Sequence, residues 1–511
     1  MMNESGHYTV QELLFNRNQD PDHNAIESPG MHPLTYRDLR IQIIYVIKTL
    51  NSMGFHRNDR IAVITPAGPE TAVIIVAVMA GFTSVPLNPQ NKKEEYERYF
   101  SLLKIKAIIV QKGCETAAAT VAESRDIPVI ELVPVSGMAG KFTLLPVVSP
   151  QADTPEFALS SDIAYVLLTS GTTATSKIVP VTQKQSAVSK QRMCIASGLT
   201  AADRCLHVVP YNHGTGIGYS LLALWIAGGT VVCTRDFIPL DFPRLFKTYW
   251  PTYYAAGPAL HAGILRVIKK RPKGEFSSNS LRHIQTDSGF LPAQVREDLE
   301  SLLNVPVIDA YGMSEAGSLA INIPPKKGSV GIPLIDSIRI ISENGLPLQS
   351  NMIGEILIKG ETVFSGYEDA PDENKDAFVD GWFRTGDLGY IDDDRYLFLT
   401  GRKKDLINKG GEKISPEEID TVIKSHPGVR DAMTFAIPDP VLGEDVAAMV
   451  VRVSAQVTEL ELSRYILDRM IQFKVPRRIY FVDEIPKTPA GKPQRHVATA
   501  RYSLDTHGTG I

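Results

Sequence analysis

The stretch "IAYVLLTSGTTATSK" (163–177) decides how this chain is read. Its first residues are mostly apolar and predict a buried strand. One glycine follows among hydroxyl residues, and then a lysine. A glycine-led turn off a strand end aims backbone N–H groups and hydroxyls at an anion. Gly171 and Lys177 have the separation of a Walker loop. Ser176, however, stands where that loop needs its second glycine, and Ile178 where it needs its magnesium hydroxyl. The segment is therefore either a phosphate loop of another kind or a Ser/Thr-rich surface turn. Its place at a strand end favours the former, because open α/β sheets bind ligands outside the carboxyl ends of their strands.

The flanking sequence has the texture of such a sheet. "LTYRDLRIQIIYVIKTLNSMG" predicts a helix ended by Gly54, and "RIAVITP" a buried strand. A helix from Thr71, then "SVPLNP", "EEYERYFSLLK", "KAIIVQ" and "GTVVCTRD", continue the alternation. Short apolar strands separated by helices imply parallel sheets covered on both faces. Near Asp387 the texture changes to antiparallel hairpins. "SPEEIDTVIKSHPG" then opens a small α+β unit, with Ser415 as N-cap, Pro416 first in the helix and Glu418 completing a capping box. The expected boundary is the charged segment 401–405, giving units 1–401 and 402–511.

Composition narrows the function classes. The 511 residues exceed one ordinary domain, and the net charge of −4 comes without a long run of like charge. Nothing points to nucleic acid. The four cysteines, Cys114, Cys194, Cys205 and Cys233, lack metal-ligand spacing and read as reduced thiols of a cytoplasmic protein. The apolar stretch from Thr71 is shorter than a bilayer span and is broken by Gly81 and Pro86, so no integral membrane segment is expected. The N-terminus has no signal-peptide pattern, and "HGTGI" is not a peroxisomal tripeptide.

Three further segments have chemistry to offer. In "VIDAYGMSEAG" (307–317), Glu315 is a candidate Mg²⁺ ligand, Ser314 a phosphate contact and Tyr311 a base-stacking ring. The same residues also suit a strand-to-helix turn with an exposed glutamate. In "GWFRTGDLGYIDDDRYLFLTGRKKDLINKGGEKISPEEID" (381–420), Asp387 is suited to ribose hydroxyls, with the guanidinium of Arg402, which follows a strand, as a helper. Either residue alone is equally consistent with a turn or a salt bridge. In "PKTPAGKPQR" (486–495), Lys492 lies on a Pro/Gly-rich loop. It either solvates a surface or enters a site to neutralise charge in a transition state.

These four segments, in this order, resemble the signatures of the adenylate-forming superfamily of acyl-CoA synthetases, luciferases and peptide-synthetase adenylation domains. The resemblance spans essentially the whole chain, and "PYNHGTG" (210–216) adds to it. "INKGGEKISPEEID" and "PTYYAAGPALHAGIL" look most like the branch with oxalate–CoA ligases and small-acid or fatty-acid CoA ligases. The resemblance implies a large N-terminal domain of two doubly wound sheets plus a small β-barrel, and a smaller mobile α+β domain. It implies an ATP-dependent, AMP-forming acid–CoA ligase acting in fatty acid metabolism. In that family a carboxylate attacks the α-phosphate of Mg-ATP, forming acyl-AMP and releasing pyrophosphate, and the thiol of coenzyme A then displaces AMP.

Residue by residue, the resemblance implies that Thr169, Ser170, Gly171, Thr172 and Thr173 cradle the phosphates, with Lys177 nearby. Thr173 and Glu315 would hold Mg²⁺, and Ser314 would touch the α-phosphate. Tyr311 and Gly312, with Ser288, Gly289 and Phe290, would flank adenine, while Asp387 and Arg402 take the ribose. Lys492 would bridge the acid and the α-phosphate, with His213 near the acid. Rotation about Lys404 would withdraw Lys492 and bring in Lys409, Gly410 and Gly411 of the loop 409–413. Three residues depart from the family's loop: Ala174 and Ile178 replace glycines, and Ser176 replaces a proline, which implies a stiffer loop. The acyl pocket would be lined near Gly214, Gly216 and Gly218, with Thr215 and Asp287 as polar residues and Tyr253, Tyr254 and Phe290 as walls. The partners implied are a small carboxylic acid and CoA, and an oligomer is compatible. The nearest alternative loads the phosphopantetheine of a free-standing carrier protein. A luciferase-like oxygenase and a non-catalytic nucleotide-binding protein are the remaining readings.

Overall fold

The computed structural model describes residues 8–15, 19–146, 154–169, 177–272, 274–276, 278–287, 289, 291–410, 412–488 and 491–502, with Thr169 and Lys413 described by backbone alone. Two large, mainly parallel sheets organise the first three hundred or so residues. The seven-stranded sheet runs in the order Phe142–Leu145, Val129–Pro134, Ala107–Gln111, Arg60–Ile64, Thr83–Pro86, Ile163–Thr169, Lys177–Thr182. The nine-stranded sheet centres on Val307–Met313, His283–Thr286, Tyr253–Ala256, Arg204–His207 and Thr230–Cys233. Interior pairings are parallel, and the edges close with antiparallel ones. These are the parallel, helix-covered sheets expected of the alternating pattern, and their number is the one the family resemblance implies.

The helices follow their apolar spacing. Tyr36–Ser52 is capped by Thr35, whose hydroxyl accepts from the Asp38 N–H, and buries Leu39, Ile43, Val46, Ile47 and Leu50. It ends before Gly54, which takes φ +89°. The mainly apolar helix starts at Pro69 rather than Thr71, with Glu70 in its first turn, and is buried on every side down to Gly81. A helix with no polar stripe has to be enclosed, and here it belongs to the main core.

An antiparallel sheet of five strands follows, in the order Ser337–Ile341, Gly354–Lys359, Trp382–Ile391, Phe378–Val379, with Leu397–Arg402 also paired to Trp382–Ile391. It takes the position expected of the small barrel, but no strand pairing closes it among the described residues. A last sheet holds Glu412–Ile414, Ile407–Lys409, Gly443–Arg452, Val429–Asp439 and Arg478–Phe481, packed by Pro416–Lys424 and Arg495–Tyr502. Ser415 is the N-cap of the first of these helices but makes no capping box. Its hydroxyl donates to the Thr400 carbonyl at 2.9 Å instead, tying the last sheet's helix to the strand before it. Glu418 is drawn off by Lys474 at 2.7 Å.

Candidate active site

The opening stretch forms a strand, Ile163–Thr169, and a return strand, Lys177–Thr182, in which Thr169 and Lys177 are register partners. Lys177 thus starts a strand, whereas a Walker lysine lies at a helix N-terminus. Ser170, Gly171, Thr172 and Thr173, with Ala174 and Ser176, lie outside the described residues. Ile178 is not a loop residue: it pairs with Leu168 and is buried in an apolar cluster, so its side chain is needed for packing. Its replacement of a glycine therefore does not mark a stiffened loop.

"VIDAYGMSEAG" is a strand and a tight antiparallel return, not a strand-to-helix turn. Val307–Met313 pairs with Gly317–Ile321, and Met313 faces Gly317. A β-carbon on Gly312 would stand 2.7 Å from the Gly317 carbonyl oxygen, so only glycine fits there. Ser314 and Glu315 fall in the return. Glu315 is buried rather than exposed, and its Oε1 accepts from the Tyr367 hydroxyl at 2.9 Å. Tyr367 also carries Lys177, whose Nζ lies 4.5 Å from the ring centroid. Tyr367 thereby links two expected site residues. Nothing in "SGYEDAP" marks it for that role.

Asp387 is the best-held member of the set. It is buried on strand Trp382–Ile391, directly opposite Arg402 in the antiparallel register. The Tyr311 hydroxyl donates to its Oδ2 at 2.5 Å, and Arg402 Nε forms an ion pair with its Oδ1 at 2.9 Å. Burial raises the Tyr311 pKa and the adjacent Asp387 charge raises it further, so the phenol stays a donor. For Arg402, burial acts downward but is outweighed by Asp387, Tyr311, Asp405 and Glu315, and its pKa rises.

Lys492 reaches this group. Its loop is held by the Thr488 N–H donating to the Lys492 carbonyl at 2.8 Å, and it lies near helix Pro258–Ile268, where a β-carbon on Gly491 would be 3.9 Å from Ala259 Cβ. Although the side chain keeps solvent-exposed surface, crowding around the ammonium lowers its pKa. Arg402 lowers it further, and Asp387, Glu315 and Asp287 oppose the shift. His213, half-buried as N-cap of Gly214–Ile217, has a lowered pKa from burial and then from Lys492. Lys492, His213, Glu315, Asp387 and Arg402 therefore share one electrostatic neighbourhood.

Other expected residues are placed differently. Gly289 is exposed, and Ser288 and Phe290 lie outside the described residues. Lys404 lies in the short turn Lys403–Asp405, and its pKa is lowered by burial and then by Arg402. Lys409 is on the last sheet, paired to Asp445 at 2.6 Å, followed by Gly410 at φ +60°, while Gly411 lies outside the described residues. The structure thus gathers Lys492 with Asp387, Arg402 and Glu315 and leaves Lys409 on the C-terminal sheet. Tyr253 and Tyr254, expected as pocket walls, are both fully buried. Adjacent strand residues face opposite ways: Tyr253 packs on His283, and Tyr254 packs into a cluster with Phe242. Sequence reasoning missed Lys190, which is 5 % exposed. The signal was present, because Gln183, Ser186, Ala187, Lys190, Met193 and Cys194 share the inward helical spacing.

A buried carboxylate facing an arginine, a glutamate in a tight return and a loop-borne lysine thus lie in one neighbourhood on a two-sheet α/β fold. Residues 15–368 match the AMP-binding enzyme family and residues 418–492 the AMP-binding enzyme C-terminal domain. The chain belongs to this family of AMP-binding enzymes. It is 34% identical to an oxalate–CoA ligase of Arabidopsis thaliana, covering 97% of this chain and 98% of that one. It is 30% identical to a sulfoacetate–CoA ligase of Cupriavidus necator, covering 93% and 94%. ATP-bound MatB from Rhodopseudomonas palustris superposes with a TM-score of 0.87 at 27% identity, covering 98% of this chain and 99% of that one.

Proposed function

We propose that this AMP-forming acid–CoA ligase activates a small, polar carboxylic acid as its adenylate and passes it to CoA, with the gathered residues dividing the work. The observation that carries this reading is the electrostatic coupling of Lys492 to Asp387, Arg402 and Glu315, with His213 coupled in turn to Lys492. Asp387, preset by Tyr311 and Arg402, accepts the ribose hydroxyls. Tyr311 and Gly312, with 288–290, flank adenine. Ser314 and the hydroxyls of 169–173, with Lys177, take the phosphates. Phosphoryl transfer asks for positioning and charge neutralisation more than covalent help. Lys492 draws the acid's carboxylate and the α-phosphate together and offsets the charge that builds as they meet. A lowered pKa keeps His213 neutral near pH 7, so it orients the acid by a hydrogen bond without adding charge.

Mg²⁺ fits the donors present. Glu315 offers a carboxylate with Oε1 occupied by Tyr367 and no described hydrogen bond on Oε2. No group of three metal-ligating side chains exists among the described residues, so Glu315, with Thr173, would share the ion with phosphates and water. The bound metal would supply charge neutralisation on the phosphates. We place the domain limit at 401/402 with the hinge at 401–405. Support comes from sheet membership, which changes between Arg402 and Ile407. Rotation there would exchange Lys492 for 409–411 at the site. Among the described residues no helix is long and apolar enough to cross a membrane. The four unpaired cysteines support a cytoplasmic location. The Arabidopsis and Cupriavidus relatives are named for oxalate and sulfoacetate, which supports a short polar acid over a long acyl chain.

The test is acid-dependent ATP–pyrophosphate exchange across a panel of acids, followed by addition of CoA. Exchange with at least one acid and acylation of free CoA are expected. No exchange with any acid would refute the enzyme reading, and exchange without CoA acylation would favour a carrier-protein thiol.

A further inference from the structure

Lys190 is a buried cation that the mechanism above does not use. It lies on the inward face of Gln183–Ala196, 5 % exposed, and no described residue gives it a hydrogen bond or ion pair. Its ammonium occupies room left by two glycines. A β-carbon at Gly218 would be 2.7 Å from its Nζ and 2.8 Å from its Cε. A β-carbon at Gly317 would be 3.6 Å from the same Nζ.

Those glycines locate the charge. Gly218 lies on the continuous helical run that begins after His213, roughly 7 Å further along at about 1.5 Å per residue. Gly317 ends the return that carries Ser314 and Glu315. The ammonium therefore sits between the wall bearing His213 and the wall bearing Glu315, displaced from His213 along the helix. Burial lowers its pKa only to about 8, so it is still mostly protonated near neutral pH. A buried ammonium without a counter-charge is strongly unfavourable, and an apolar residue of similar volume would pack there without that penalty. The site is thus poised for an anion that the described residues do not supply.

We propose that Lys190 binds a second acid group on the substrate, so that the acid activated here is a short dicarboxylate or sulfocarboxylate. This rests on the ligase reading above. One carboxylate would lie at His213 and Lys492 for adenylation, while the distal anion reaches Lys190. The separation along the helix suits a short spacer between the two acid groups, and a long apolar chain would bury its end against the ammonium.

The experiment measures kcat/KM by pyrophosphate release, using the purified full chain, for diacids from malonate to adipate and for sulfoacetate. Monoacids of matched length are run beside them. The wild type should prefer a diacid or sulfoacetate. K190M should lower kcat/KM for that acid about 100-fold or more, because a site built for a polar group rejects a loss of pairing strongly. Matched monoacids should change by less than about 3-fold, and K190R should retain part of the preference. Equal loss on diacids and monoacids would overturn the proposal, as would a wild type that prefers monoacids. That wild-type ratio decides the matter even if K190M does not fold. Failure of every acid to support ATP–pyrophosphate exchange would instead remove the ligase reading itself.

Discussion

Asp387→Asn tests the nucleotide half of the site. The carboxylate is buried, accepts a hydrogen bond from Tyr311 at 2.5 Å and forms an ion pair with Arg402 at 2.9 Å. Asparagine keeps the shape and removes the charge. Hydrogen bonds to a charged group contribute about 1.5–3 kcal/mol, and neutral ones about 0.5–1.5 kcal/mol. Each ribose hydroxyl donated to residue 387 therefore loses about 1 kcal/mol, and two lose about 2 kcal/mol. At about 1.4 kcal/mol per tenfold, kcat/KM for ATP should fall roughly 30-fold. The proposed ribose contact is one made in both ground and transition states, so the loss should appear in KM more than in kcat. The cost in stability is smaller, because Arg402 is 44 % exposed and water screens its lost partner. The assay is initial-rate pyrophosphate release over an ATP titration, with a thermal melt alongside. A KM for ATP unchanged within about threefold, together with a lowered melting temperature, would show that Asp387 only anchors Tyr311 and Arg402.

Two other outcomes follow from the same geometry. Lys492→Ala should abolish adenylation while leaving thioester formation from supplied acyl-AMP largely intact, and equal loss of both steps would contradict the exchange of Lys492 for 409–411. Burial holds His207 at about 3 and His261 and His283 at about 4, all below the ordinary 6.5. The unfolded chain therefore binds up to three more protons, so stability should be full above pH 6.5 and fall as the pH drops toward 4. The slope approaches about 1.4 kcal/mol per pH unit for each proton. Urea melts at pH 7, 6 and 5 check this, and a flat profile would mean that these rings are protonated in the fold.

The strand that leads into this stretch was legible in the sequence, yet the antiparallel return that begins at Lys177 was not. Sequence spacing separates a Walker loop from this one by two side chains, but only strand pairing places Lys177 opposite Thr169 and turns Ile178 into core. Likewise "YGMSE" names its donors, while the antiparallel return that buries Glu315 depends on a close backbone contact at Gly312. Ser415 had every local mark of a capping box, and a non-local carbonyl at Thr400 took its hydroxyl. Local propensity is decided by neighbours within a turn, and a partner 15 residues away can outcompete them.

By itself the sequence determined the class of fold, through apolar strands alternating with helices. It also determined which residue types could serve phosphate, ribose and acid, through four ordered motifs. The first is a property of local periodicity, and the second rests on resemblance to a family. Tertiary structure alone decided which of those residues meet, that Tyr367 links Glu315 to Lys177, and that Lys190 is a buried charge without a described partner. Each of these depends on distance between segments remote in the chain and on exclusion of water, and neither is written in the order of residues.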